Sequence, residues 1–127
     1  MQRKIGVVIS NHEAEPETER AMNEQFKLDE VKYFKHPDID PRMNKKEVWE
    51  QATEFMWNIG HELRMHEIVV AIINGEYGFS TACVHGFTNI NVPCYYPTTE
   101  RGATEELLPD KSIKTTHVYK FVQFREW

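Results

Sequence analysis

The sequence predicts an α/β domain in which a mostly parallel sheet is flanked by helices and ends in a β-hairpin. Three observations predict it. Short β-prone runs stand at residues 4–10, 31–34, 68–73 and 92–96, and the most apolar of them have the pattern of strands buried on both faces. Stretches with helical spacing or helix-start signals separate the runs. Good turn residues at 109–112 then divide the tail into two further β-prone segments.

The elements follow in order. Residues 4–10 form an apolar run ending in Ser10, and residues 11–16 are a polar loop. A helix over residues 17–27 opens on acidic side chains, which suit the positive end of a helix dipole. A short strand covers residues 31–34, and the two prolines in residues 36–41 make that stretch a loop. Asn44 is the expected N-cap of a long helix reaching about residue 64. Its apolar face is Val48, Gln51, Ala52, Phe55, Met56, Ile59 and Leu63. Gly60 costs that helix roughly 1 kcal/mol against Ala.

Residues 68–73 are the most apolar run and the expected central strand. A glycine-containing turn over residues 74–80 leads into a helix to about residue 87. Residues 92–96 form the fourth strand, and residues 97–100 the loop after it. Residues 104–108 and 113–125 flank Pro109-Asp110-Lys111-Ser112 and form the hairpin. Strand and helix alternating in this way give a Rossmann-like parallel sheet with right-handed crossovers. One domain accounts for all 127 residues.

Composition narrows the partners. A chain that is 40% hydrophobic and 12% aromatic folds on its own core. No apolar run approaches the roughly 20 residues of a membrane span. The run after the basic N-terminus stops at Ile9, too short for a signal peptide, so the cytoplasm is the expected compartment. Cys83 and Cys94 lie in apolar surroundings and are expected as reduced, buried thiols. A net charge of −5 argues against tracking along long nucleic acid, which needs a basic stripe. A small phosphorylated ligand needs only a few local donors.

Parallel α/β sheets bind ligands beyond the carboxyl ends of their strands. That rule selects Ser10-Asn11-His12, residues 74–80, and Thr98-Thr99-Glu100-Arg101. The candidate contacts in the middle segment are Asn74, Gly75, Glu76, Gly78, Phe79 and Ser80. Gly75 and Gly78 match neither a dinucleotide fingerprint nor a P-loop. They suit a tight strand-to-helix turn, or a nest of N–H groups aimed at a phosphate. Cys83, His85 and Cys94 have no standard zinc spacing, so no metal is expected. Trp49, Phe55 and Trp57 are expected in the core or at an interface rather than stacked on bases.

The second half of the chain resembles a known family. An apolar strand is followed by Asn74-Gly75-Glu76-Tyr77-Gly78 and a helix. Then come Val92-Pro93-Cys94-Tyr95-Tyr96-Pro97-Thr98-Thr99-Glu100-Arg101 and the ending Phe121-Val122-Gln123-Phe124-Arg125-Glu126-Trp127. This order resembles the small standalone ring nucleases of type III CRISPR systems. The likeness covers residues 66–127 well and residues 4–35 loosely. Two positions depart: Asn11 separates Ser10 from His12, and Lys120-Phe121-Val122 stands where the family has a histidine before the Phe-Arg ending. No role is carried over to that histidine.

The resemblance implies a domain of CARF type and a homodimer. It implies a cyclic oligoadenylate, above all the tetra-adenylate, held across the two-fold axis and cut to linear products. The chemistry needs no cofactor, because a ribose 2′-OH can attack its own 3′-phosphate once aligned. Arg101 would then stabilise the phosphoryl oxygens, His12 would move a proton, and Ser10, Ser80, Thr98 and Thr99 would hold phosphate or ribose. Three alternatives remain open: a binder of the same ring without turnover, a nucleoside deoxyribosyltransferase-like enzyme using Glu76 or Glu100 as nucleophile, and a regulatory or interaction domain with no ligand.

Overall fold

A computed structural model describes residues 2–127. Strand β1 (Lys4–Ser10) leads through α1 (Pro16–Phe26) to β2 (Glu30–Lys35). Helix α2 (Lys45–Glu62) then leads to β3 (Glu67–Ile73), and α3 (Tyr77–Asn89) to β4 (Cys94–Leu107), which turns into β5 (Ile113–Glu126). The sheet order is β2-β1-β3-β4-β5. The first four strands are parallel, and only the β4–β5 pair is antiparallel. This is the Rossmann-like arrangement expected from the alternation, with β3 at the centre of the five strands.

Period-two alternation along β1 and β3 divides the core between the two faces of the sheet. Ile5, Val7, Ile9, Ala71 and Ile73 pack against Val48, Ala52 and Ile59 of α2 and Phe79, Ala82, Cys83 and Phe87 of α3. Val8, Val70 and Ile72 face the other way, against Met22 of α1 and Phe124 of β5. One face is therefore covered by two helices. The other is covered by α1 and the base of the hairpin.

The capping signals act as the sequence indicates. Asn44 and Glu47 form a reciprocal capping box at the start of α2. Helix α1 ends on Lys27 in the left-handed conformation, with its N–H on the Asn23 carbonyl. Cys83 and Cys94 are free and buried. Burial raises both thiols, Cys83 to about 12 with neighbouring Cys94 adding to the effect, and Cys94 to about 11.

The fourth strand differs from expectation. It starts at Cys94 and runs without a break to Leu107, so residues 97–100 are strand and not loop. Pro97 fits there for a local reason. β3 pairs with β4 only at Ala71–Cys94 and Ile72–Tyr95. By Pro97 the β3 side of β4 has no ladder left to break, and β5 supplies the pairing on the other side. Thr98 and Thr99, both β-branched, suit the extended backbone.

A bulge follows at once. Thr98 pairs with Gln123 but Thr99 with Phe121, so Val122 is the extra residue in β5. Beyond the bulge the two strands leave the sheet as an arm with exposed side chains from Glu100 to Leu107 and from Ile113 to Lys120. Its turn contains Lys111 at φ 68 and Asp110, whose carboxylate accepts from the Ser112 N–H and hydroxyl. Those two hydrogen bonds hold the Asp110 carboxyl below its ordinary range.

Candidate ligand cavity

Strand connections leave the sheet in opposite directions from β1 and β3, so the crevice between their carboxyl ends is where such a fold accepts ligands. A cavity of about 370 Å³ opens at that point, on the α1 face. Val8 and Ser10 of β1 and Ile72 of β3 line it, together with Asn74 and Gly75 just beyond β3. Asn11, His12, Glu13, Ala14, Glu15 and Thr18 close one side, and Met22 lies at its base. Pro97, Thr99, Tyr119 and Phe121 close the other side from the root of the hairpin.

The β1 loop is held by its own polar groups. The Ser10 carbonyl accepts from the His36 N–H at 2.9 Å and from the Tyr33 hydroxyl at 3.0 Å. The Ser10 hydroxyl donates to the His12 carbonyl, which fixes the turn that presents His12. Asn74 continues the ladder, its N–H on the Ile9 carbonyl at 2.9 Å.

The cavity gathers Ser10, Asn11, His12, Asn74, Gly75 and Thr99 from three separate stretches of chain. The other residues selected from sequence sit elsewhere. Glu76 is the N-cap of α3, and its carboxylate accepts from the N–H groups of Gly78 and Phe79. The N–H groups expected as a nest for phosphate there are taken up by the protein's own carboxylate. Phe79 is fully buried, edge-on to His36 and Phe55. Ser80 is fully buried one residue further on. The Thr98 hydroxyl donates to the Gln123 carbonyl at 3.1 Å.

Arg101 is strand and exposed, not loop, and does not line the cavity. It shares a face with the cavity residues, because Pro97, Thr99 and Arg101 alternate along β4 and Arg101 pairs with Tyr119. Glu100 lies on the opposite face of the hairpin, paired with Lys120. The two carboxylates raised as nucleophiles, Glu76 and Glu100, are thus a helix cap and an outward-facing strand residue.

Sequence reasoning missed Glu13, Glu15, Thr18, Tyr119 and Phe121 as cavity walls. The alternation of His117, Tyr119 and Phe121 along β5 was the available signal, since period two puts them on one face. It also missed His36, which is 3% exposed and stands directly behind Gly75. His36 Nδ1–H donates to the Pro37 carbonyl at 2.7 Å, while Nε2 is buried without a partner. Among the described residues no three His, Cys, Asp or Glu side chains converge as a metal set, and no helix is long and apolar enough to cross a membrane.

The fold and the cavity define a small Rossmann-like α/β protein with a crevice at its topological switch point, where folds of this kind accept ligands. The chain belongs to the Uncharacterized protein MJ1673 family, whose sequence model matches residues 4–125. No curated protein and no solved structure matches it.

Proposed function

We propose that this chain binds a cyclic oligoadenylate, above all the tetra-adenylate, and cleaves it to linear products, ending a type III CRISPR signal. The observation that carries the reading is the cavity at the switch point, where Ser10, His12, Asn74 and Thr99 converge beside the rings of Tyr119 and Phe121. Amides and hydroxyls hold ribose and base edges, and aromatic faces accept bases. The likeness to the ring nucleases supplies the ligand class.

A cavity of about 370 Å³ holds one nucleotide-sized group rather than a four-nucleotide ring. Two copies of the chain, related by a two-fold axis, therefore each take part of the ring. Cleavage runs by attack of a ribose 2′-oxygen on the adjacent phosphorus. The new 2′-O–P bond forms as the P–O5′ bond breaks, and the product ends in a 2′,3′-cyclic phosphate. His12, exposed at the cavity mouth, takes the 2′-hydroxyl proton, and the leaving 5′-oxygen gains a proton from solvent.

The non-cleaving alternative has one observation in its favour, that Arg101 stands outside the cavity. Incubation with cyclic tri-, tetra- and hexa-adenylate in EDTA, followed by product separation, distinguishes the readings. Linear products with 2′,3′-cyclic phosphate ends are expected. Tight binding with intact rings would support the non-cleaving binder, and absence of binding to all three rings would overturn both.

A further inference from the structure

Arg101 has an unusual partner for an exposed arginine. Among the described residues it makes no salt bridge, although Glu100, Glu105 and Glu106 are close in sequence. Its side-chain hydrogen bonds go to His117 instead. Arg101 Nε–H donates to His117 Nδ1 at 3.3 Å, and Nη2 lies 3.1 Å from both ring nitrogens. Arg101 pairs across the hairpin with Tyr119, and His117 with Ala103, so the contact is a diagonal one on a single face. That face is the one whose next residues inward, Thr99, Tyr119 and Phe121, line the cavity.

Charge makes the position informative. The cavity lining contains two glutamates and no lysine or arginine. A nucleotide seated there would find no cation for its phosphate inside. One pleat further out, on the same face, a guanidinium is available whose positive charge no carboxylate neutralises. Its planar fork suits phosphate, and a neighbouring imidazole N–H adds a second donor type.

We propose that Arg101 and His117 form a phosphate subsite on the hairpin, with Tyr119 between it and the cavity, and that His117 is a ligand-binding residue of this protein. His117 holds the guanidinium in place before ligand arrives and donates to the phosphate afterwards. The proposal deepens the nucleotide reading and rests on it, but it concerns any nucleoside monophosphate and not only a cyclic one.

The test compares adenosine with adenosine 5′-monophosphate, titrated into the parent chain by calorimetry or by shifts of the histidine ring resonances. The parent is expected to prefer the monophosphate. His117→Ala and Arg101→Ala should each reduce that preference about tenfold or more while leaving adenosine affinity unchanged. His117→Gln should recover part of it, because an amide supplies a donor. Lys120→Ala, on the opposite face of the hairpin, should behave as the parent. All of these side chains are exposed, so the variants keep the fold. A His117→Ala variant that keeps the full monophosphate preference would overturn the proposal, as would a parent without any preference. A parent that prefers the monophosphate through this pair but binds no cyclic adenylate would uphold the subsite and overturn the cyclic ligand.

Discussion

The imidazole of His36 occupies the space that a side chain at Gly75 would fill. A Cβ at Gly75 would lie 2.2 Å from Cδ2 and 2.4 Å from Nε2 of His36. No glycine among the described residues has positive φ, so this glycine is required by close approach and not by backbone conformation. Gly75→Ala is therefore expected to destabilise the chain by about 1–3 kcal/mol through overpacking. In a His36→Ala background the same substitution should cost much less. Urea denaturation of the two single variants and the double variant measures the coupling. Strict additivity would show that the ring is not what excludes a side chain at position 75.

At the start of α3, Glu76 acts as a cap, and this separates stability from binding. Its carboxylate satisfies two N–H groups that α3 cannot satisfy itself. Glu76→Ala should lower stability by about 1 kcal/mol and leave nucleotide affinity unchanged. Glu76→Gln should recover most of the stability, because the amide oxygen still accepts. A loss of affinity in Glu76→Gln with normal stability would return this residue to the binding site.

Much of the fold is legible from local rules. Apolar runs at residues 4–10 and 68–73 correspond to β1 and β3, and Asn44 caps α2 as its type and position indicate. β4 is the exception. Pro97 reads as a strand end when the chain is scanned one segment at a time. Its tolerance depends on where β3 stops pairing, which is a tertiary fact. For the same reason Thr98 to Arg101 reads as a loop when it is the root of the arm.

Cys83 and Cys94 set an alkaline limit. Burial holds their native thiols protonated to about 12 and about 11, against an ordinary value of 9.0. Between pH 9 and those values the unfolded chain loses protons that the native chain keeps. Stability is therefore undiminished by these groups below pH 9 and falls as pH rises through that window. Replacing both by Ala or Val should flatten the alkaline limb of a stability–pH curve. Reaction with a thiol reagent at pH 8 should follow unfolding rather than precede it. Rapid labelling of folded protein would contradict the burial.

The candidate site was legible only in part. Ser10, His12 and Asn74 follow from the rule about strand ends, because β1 and β3 end where their apolar runs end. Tyr119, Phe121 and His117 belong to a strand on the sheet's edge, and no rule about parallel strands selects them. They reach the site because the bulge at Val122 keeps Phe121 and Phe124 on one face, with ring centroids 4.9 Å apart. A skipped residue of that kind depends on pairing with β4 and leaves no local mark in the sequence.

The hairpin arm gives the sharpest test of the proposed two-fold pairing. Two strands standing away from a sheet are marginal in water. Here the cross-strand pair at the tip, Leu107 and Ile113, leaves both side chains exposed, at 73% and 63%. Val118 and Tyr119 are exposed further down. If the chain pairs around a two-fold axis, an arm with that surface is suited to pack on the second copy and to bring Arg101 and His117 toward the shared ring. Light scattering at micromolar protein should then show a dimer. Leu107→Lys with Ile113→Lys should give a monomer with an unchanged melting temperature of the core sheet, since neither side chain supports it. Nucleoside monophosphate binding should survive in that monomer, while affinity for the cyclic ring should fall at least tenfold, because each half of the ring loses the other site. A parent that is monomeric with cyclic tetra-adenylate bound would remove the two-fold arrangement. A dimer unaffected by the two lysines would move the interface off the arm, with the exposed Trp57 face of α2 the next surface to vary.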